Sequence, residues 1–227
     1  RLPANCPSHS VAIDDAAIGR AAADIYLHKG RFASYCYAPQ SFNVEFDWSL
    51  RRGKAFIARL RSARKTCRRL NGNLADELKA LPKPAALFAA FDYEAELVLS
   101  ACKAAGIAVP DEISILGVDN DLATCERGRP RLSSLRIDHT EQGFKAARSL
   151  AQLLAPNRRS LHRMTVCRIP AVFVERESTP NQSPALSLVE RAETIIRDPS
   201  SSTRRVDKLA AELGVSANLL NLRFRET

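Results

Sequence analysis

The 227 residues predict an α/β fold built on a parallel sheet, followed by a short all-helical domain. Three observations lead there. Two short runs, Ala86 to Phe91 and Ile113 to Val118, are apolar throughout, as strands covered on both faces are, and a helical pattern joins them. Strand and helix patterns alternate from Val11 to Thr179. The polar, Pro- and Ser-rich stretch Glu177 to Ser187 then gives way to helical periodicity alone.

Each element has a local reason. Val11 to Ile13 is a short strand, and Asp14 is placed to cap a helix over Ala16 to Leu27 that closes at Gly30. Phe32 to Ala38 reads as a strand. Trp48 to Arg69 reads as one long basic amphipathic helix with Phe56, Ile57 and Leu60 on one face. Leu74 to Leu81 is a short helix that stops before Pro82. After Ala86 to Phe91, Glu94 to Ala105 is a helix ended by Gly106, and Val109-Pro110 turns the chain into Ile113 to Val118. Leu132 to Ile137 is a strand, Glu141 to Leu154 a helix, Pro156 to Arg163 a basic loop and Val166 to Val174 a final strand. The domain division that follows is residues 1–179, a linker over 180–187, and residues 188–227.

Composition narrows the class. At 45% hydrophobic and 26% charged residues the chain is an ordinary soluble globular one. No apolar run approaches the roughly 20 residues of a membrane span, so no membrane association is expected. The net charge of +9 favours a polyanionic partner and carries no information on fold. Much of the excess lies between Arg51 and Lys79, where a solvated helix face explains it. The six cysteines form no CxxC and no zinc spacing with the four scattered histidines, which fits a reducing cytoplasm and leaves no metal site. The opening RLPANCPSHS lacks the charged-then-apolar pattern of a signal peptide. A first residue other than Met, and an end inside a helical pattern, lead us to expect a piece of a longer protein.

LAAELGVSANLLNLRF, from Leu209 to Phe224, has helix-turn-helix spacing: a short helix, Gly214 for a left-handed turn, Val215 as an apolar pin and Ser216 as the next cap. Leu220 and Phe224, four apart, are expected in the core. Asn218, Asn221, Leu222 and Arg225 share another face, the one a recognition helix offers to the major groove. Asn pairs with adenine, Arg with guanine or phosphate, and Leu touches a thymine methyl. Arg204, Arg205 and Lys208 are placed to hold the DNA backbone. The plainer alternative is a three-helix element with a solvated polar face.

GIAVPDEISILGVDND (Gly106 to Asp121), PRLSSLRID (Pro130 to Asp138) and VERES-T (Val174 to Thr179) resemble the effector domain of LacI/GalR-type regulators. VAIDDAAIGRAAADIYLHKGRF (Val11 to Phe32) fits the same pattern. The resemblance implies periplasmic-binding-protein-like lobes, here partial, since about four more strand-helix units precede the Val11 strand in the family. LAAELGVSANLLNLRFRET resembles the first half of an AraC-type DNA-binding domain, truncated before its second helix-turn-helix.

An effector domain followed by AraC-type helices implies a cytoplasmic, non-enzymatic, sugar-responsive transcription regulator of a pentose (xylose-like) catabolic operon. Its implied partners are double-stranded DNA, a monosaccharide effector and a second copy of itself, with no cofactor. The alternative is a solute-binding module for sugar uptake without DNA binding.

A sugar site in such a fold lies at the carboxyl ends of the strands, which nominates Asp92, Asp119 and Asn120. Arg52 matches the family arginine that contacts sugar, and its planar fork suits paired hydroxyls. For Trp48 and Phe91 core packing is the first expectation, and stacking on a sugar ring the second. An enzyme finds no support. Ser133, Ser134, Asp138 and His139 lie near one another without a GxSxG elbow, and no phosphate-cradling glycine loop occurs.

Overall fold

The computed structural model describes residues 10–30, 32–39, 46–154, 166–180, 189, 192–193, 195–196, 206–213 and 215–225, with only the backbone described at 10, 153, 166–169, 219, 222–223 and 225. The chain divides into two compact units, Arg1–Asp24 with Phe32–Thr179, and Ile25–Arg31 with Pro180–Thr227.

The first unit is α/β. Its elements run β1 (Ser10–Ile13), α1 (Asp15–Lys29), β2 (Ser34–Ala38), α2 (Asp47–Ser62), β3 (Arg68–Arg69), α3 (Leu74–Lys79), β4 (Ala85–Ala89), α4 (Asp92–Ala105), β5 (Ile113–Asp119), α5 (Leu122–Cys125), β6 (Ser133–Ile137), α6 (His139–Leu154), β7 (Val166–Ile169) and β8 (Ala171–Val174). The last turns of α1 fall in the second unit. One sheet has the order β3-β2-β4-β5-β6-β8, parallel except for β8, which runs antiparallel to β6. A separate pair, β1 and β7, is parallel, with Val11 opposite Cys167. The expected parallel α/β architecture is therefore present.

The apolar strands are fully buried. Cys36, Leu87, Ile113 and Ile115 share one cluster with Val98 and Cys102 of α4 and Leu78 of α3. Phe88 meets Tyr37 and Phe56, with ring centroids 5.6 and 5.0 Å apart. Helices α1 and α2 approach backbone to backbone at Gly19, where a Cβ would run into the Arg52 carbonyl. Asp14 caps α1 by accepting from the Ala17 amide at 2.9 Å, and Gly106, at φ +69°, ends α4.

Two expectations fail for identifiable reasons. The long helix over Trp48 to Arg69 stops at Ser62. Arg64 turns left-handed at φ +59°, and Arg68 and Arg69 pair with Cys36 and Tyr37 as a short strand. The final strand breaks at Pro170, which has no N–H to donate, and its halves join different sheets. The four-residue α5 follows the Asp119-Asn120-Asp121 turn, capped by Asp121.

The stretch after β8 is sewn onto the sheet. Ser178 exchanges backbone bonds with Ile115 and Arg131, its hydroxyl donates to the Ile115 carbonyl at 2.6 Å, and Thr179 Oγ1 lies 2.8 Å from Ser133 Oγ.

The second unit is helical, with α7 (Val206–Glu212) and α8 (Ala217–Arg225). Ala192, Leu209, Ala210, Leu213 and Leu220 form its core, with Ile195, Val215 and Ala217 packed on it. The Val215 amide donates to the Ala210 carbonyl at 2.9 Å. The expected apolar face over Leu188, Ala192, Ile195 and Ile196 is partly corrected. Ala192 is buried and Ile196 is exposed, while Leu188 lies outside the described residues. Phe224 is 39% exposed rather than in the core, because Leu220, one turn earlier, supplies the apolar contact. The linker over 181–187, Gly214, Arg204 and Arg205 also lie outside the described residues. No helix among the described residues is long and apolar enough to cross a membrane.

Candidate functional site

In the six-stranded sheet the chain leaves β2 toward β3 on one side and returns to β4 on the other. Such a reversal opens a crevice beyond the carboxyl ends of the strands. A cavity of about 330 Å³ lies there, lined by Ala12, Ile13, Asp15, Trp48, Arg51, Arg52, Phe91 and Asp119. These residues come from the end of β1, the starts of α1 and α2, and the residues at the ends of β4 and β5.

Arg52 is the hub. Its side chain is 5% exposed, and its guanidinium donates to Asp15 Oδ1 at 3.1 Å and to the Ala90 carbonyl at 2.6 Å. Its remaining nitrogen stands 3.9 Å from Asp119 Oδ1, and its plane lies over the Trp48 ring, 4.8 Å from the centroid. Arg51 holds the other oxygen of Asp15 at 2.7 and 3.1 Å. A buried cation is thus matched by a buried carboxylate, and a second carboxylate reaches into the open cleft. Burial pushes the Asp119 carboxyl up from its ordinary pKa, and Arg52 opposes that rise. Trp48 and Phe91 meet edge to face at 5.6 Å and form the apolar wall, so both border open space rather than filling the core.

Asp119 is aimed by its backbone. It has φ +103° and Asn120 has φ +57°, an uncommon and costly pair for residues with side chains. Three side chains hold this turn. The Asn120 amide donates to Ser134 Oγ at 3.0 Å, the Asp121 amide to Asp92 Oδ2 at 2.8 Å, and Arg176 to Asn120 Oδ1 at 2.8 Å.

Of the four residues nominated for the ligand, Arg52 and Asp119 therefore meet in the cleft. Asp92 and Asn120 stand behind it. Asp92 is 2% exposed, and it also accepts from Ser134 Oγ at 2.6 Å. A Cβ on Gly117 would run into its Oδ1. Burial pushes the Asp92 carboxyl up to about 6, against the Ser134 hydroxyl and Asp121 amide that favour its charged form. The reading of the sequence missed Asp15, Arg51, Ser134 and Arg176. The doubled acids at Asp14-Asp15, opposite the doubled Arg51-Arg52, were the available signal for the first two.

Nothing nucleophilic is poised here among the described residues. Ser133 and Ser134 are buried and bond to Thr179 and Asp92, while His139 Nδ1 pairs with Gln142 at 3.2 Å. Burial raises the Cys67 and Cys125 thiols to about 12 and Cys102 to about 11, far from the thiolate range.

In the helical unit Ser216, Asn218 and Asn221 are exposed. Ser216 directly precedes α8, and Asn218 and Asn221 lie on it. The side chains of Leu222 and Arg225 lie outside the described residues.

A parallel sheet with a charged, aromatic-walled cleft at its strand ends defines a binding fold. The chain belongs to the periplasmic binding protein-like domain family, whose model matches residues 27–179. It is 30% identical, over 97% of its length, to the xylose operon regulatory protein of Escherichia coli K12, and 27% identical, over 95%, to that of Haemophilus influenzae. It spans 59% and 58% of those two proteins. Among solved structures it is similar to the xylose-binding transcription activator xylR, with a TM-score of 0.69 and 25% identity, covering 100% of this chain and 62% of that one. A periplasmic binding protein/LacI transcriptional regulator of Alkaliphilus metalliredigens, complexed with D-xylulofuranose, shares the fold with a TM-score of 0.62 and 19% identity, covering 77% of this chain and 67% of that one.

Proposed function

We propose that this chain is the effector portion, with the first DNA-binding helices, of a sugar-responsive transcription regulator, and that its effector is a pentose such as D-xylose. The observation that carries the reading is the cleft itself. One buried guanidinium and one strand-end carboxylate converge beside two aromatic rings, the donor, acceptor and apolar face that a monosaccharide's hydroxyls and C–H face require. The names of the relatives support the pentose. Arg52 and Asp119 make the polar contacts, Trp48 and Phe91 take the ring, and Asp92 and Asn120 hold the turn. Binding alone is the activity, with no cofactor and no turnover.

The DNA partner is read by Asn218, Asn221, Leu222 and Arg225, with Ser216 at the helix start. The protein works as a cytoplasmic homodimer, in which sugar shifts the population competent for DNA. That requires unequal affinity of the sugar for two conformations.

Calorimetry of the intact protein against D-xylose, L-arabinose, D-ribose and D-glucose tests the first half. A pentose is expected to bind, and Arg52→Ala and Asp119→Ala to abolish the heat. Parent-like affinity in both variants removes the cleft from the account. Mobility shifts with operator-length DNA test the second half. Sugar binding without any DNA binding would favour a solute-binding module.

A further inference from the structure

The Asp119–Asn120 turn stands in a costly left-handed conformation, and besides Ser134 and Asp92, which take its amides, Arg176 grips the Asn120 side chain from outside the cleft. Arg176 lies just after β8, with its side chain 8% exposed. Its guanidinium donates in three directions: to Asn120 Oδ1 at 2.8 Å, to Glu126 Oε1 at 2.6 Å and to the Leu132 carbonyl at 2.9 Å. Its amide donates to Ser133 Oγ at 2.8 Å. Two residues on, Ser178 is bonded to β5 and to Ser133, so the arginine is mounted on a fixed strip of backbone.

We infer that Arg176 is a positioning residue for the sugar site, setting the direction of the Asp119 carboxylate through Asn120. This rests on the reading of the cleft as a sugar site. The chain of contacts is short. Asn120 is fixed at its amide by Ser134 and at its side chain by Arg176. Asp119, the preceding residue, shares that peptide unit and faces Arg52 across the cleft. Without Arg176, the Asn120 side chain loses its charged partner, and the turn is free to relax toward φ below zero, where backbone strain is lower. Asp119 then leaves its place opposite Arg52. Lysine cannot replace the fork, because a single ammonium does not reproduce the three directed bonds of the guanidinium.

The test is a double-mutant cycle on sugar affinity in the intact protein, measured by calorimetry with D-xylose, L-arabinose, D-ribose and D-glucose. Asn120→Gly removes Oδ1 while tolerating the left-handed backbone. Arg176→Ala is expected to weaken binding about tenfold in the parent and less than about twofold in the Asn120→Gly background. A purely structural role would cost affinity equally in both backgrounds. Equal costs, or no cost in the parent, overturn the assignment. Should Arg176→Ala fail to give a cooperative melt, Arg176→Lys takes its place in the same cycle, with the same two outcomes. Absence of binding by the parent to all four sugars overturns the sugar reading itself, and with it the role of Arg176. That result is distinct from a bound sugar indifferent to residue 176.

Discussion

The strand-end cleft and the helical unit place their chemistry in opposite ways. The cleft is assembled from β1, α1, α2 and the ends of β4 and β5, and its central pair, Arg52 and Asp15, is buried and bonded before any ligand arrives. The polar residues nominated to read bases in the helical unit lie on or beside a single helix, α8, and those whose side chains are described are exposed. The first arrangement stores its precision in the fold, so damage to one group spreads to its partners. The second costs the fold nothing, and damage there should stay local.

Arg52→Ala should break the contrast most severely. It strands Asp15 as a buried carboxylate held by the exposed Arg51 alone, at a cost of about 3–5 kcal/mol in denaturant unfolding, and sugar binding should vanish. A loss of binding with unchanged stability would mean that the buried pair is not holding the cleft.

Asp92 sharpens the comparison through pH. A folded-state pKa of about 6 lies above the ordinary aspartate value, so the folded protein holds this proton more tightly than the unfolded chain. That contribution is fully present below the ordinary value and is lost as pH rises through about 6. Asp92→Asn should therefore gain stability relative to the parent between pH 4 and pH 7, by on the order of 2–3 kcal/mol. A pH-independent difference between the two would contradict the burial assigned to this carboxyl.

Asp119→Asn is the milder test. Its side chain is 36% exposed, so folding should be unaffected while sugar affinity drops about tenfold. Smallest of all in the folded state is Asn221→Ala at an exposed position of α8. It should leave the melting temperature within about a degree and reduce discrimination between operator and random DNA about tenfold in a competition assay. A shift in stability instead would show that α8 uses this residue for packing.

Strand location was legible because burial on both faces writes itself into composition. Ala86 to Phe91 and Ile113 to Val118 needed no further clue. Capping was legible at Asp14 because the chemistry is local. Where long-range pairing decides, the sequence misleads. Arg68 and Arg69 continue a helical pattern yet pair with β2, and a single apolar run divides at Pro170 between two sheets.

The cleft followed the same division. Asp119 was visible as a polar residue at a strand end. Asp92 looked identical, yet α4 turns it inward beneath Gly117. Asp15 showed only as half of an acidic pair, and Arg176 was not marked as a site residue, because their roles come from partners 37 and 56 residues away in the chain.

The sequence contains one tryptophan, and Trp48 lines the cleft with Arg52 over its ring. Its fluorescence during titration with D-xylose therefore reports on the site directly. The account predicts a saturable change in emission that disappears in Arg52→Ala and moves to higher sugar concentration in Asp119→Asn. Sugar binding detected by calorimetry with no change in Trp48 emission would contradict it, since the ligand would then be held elsewhere.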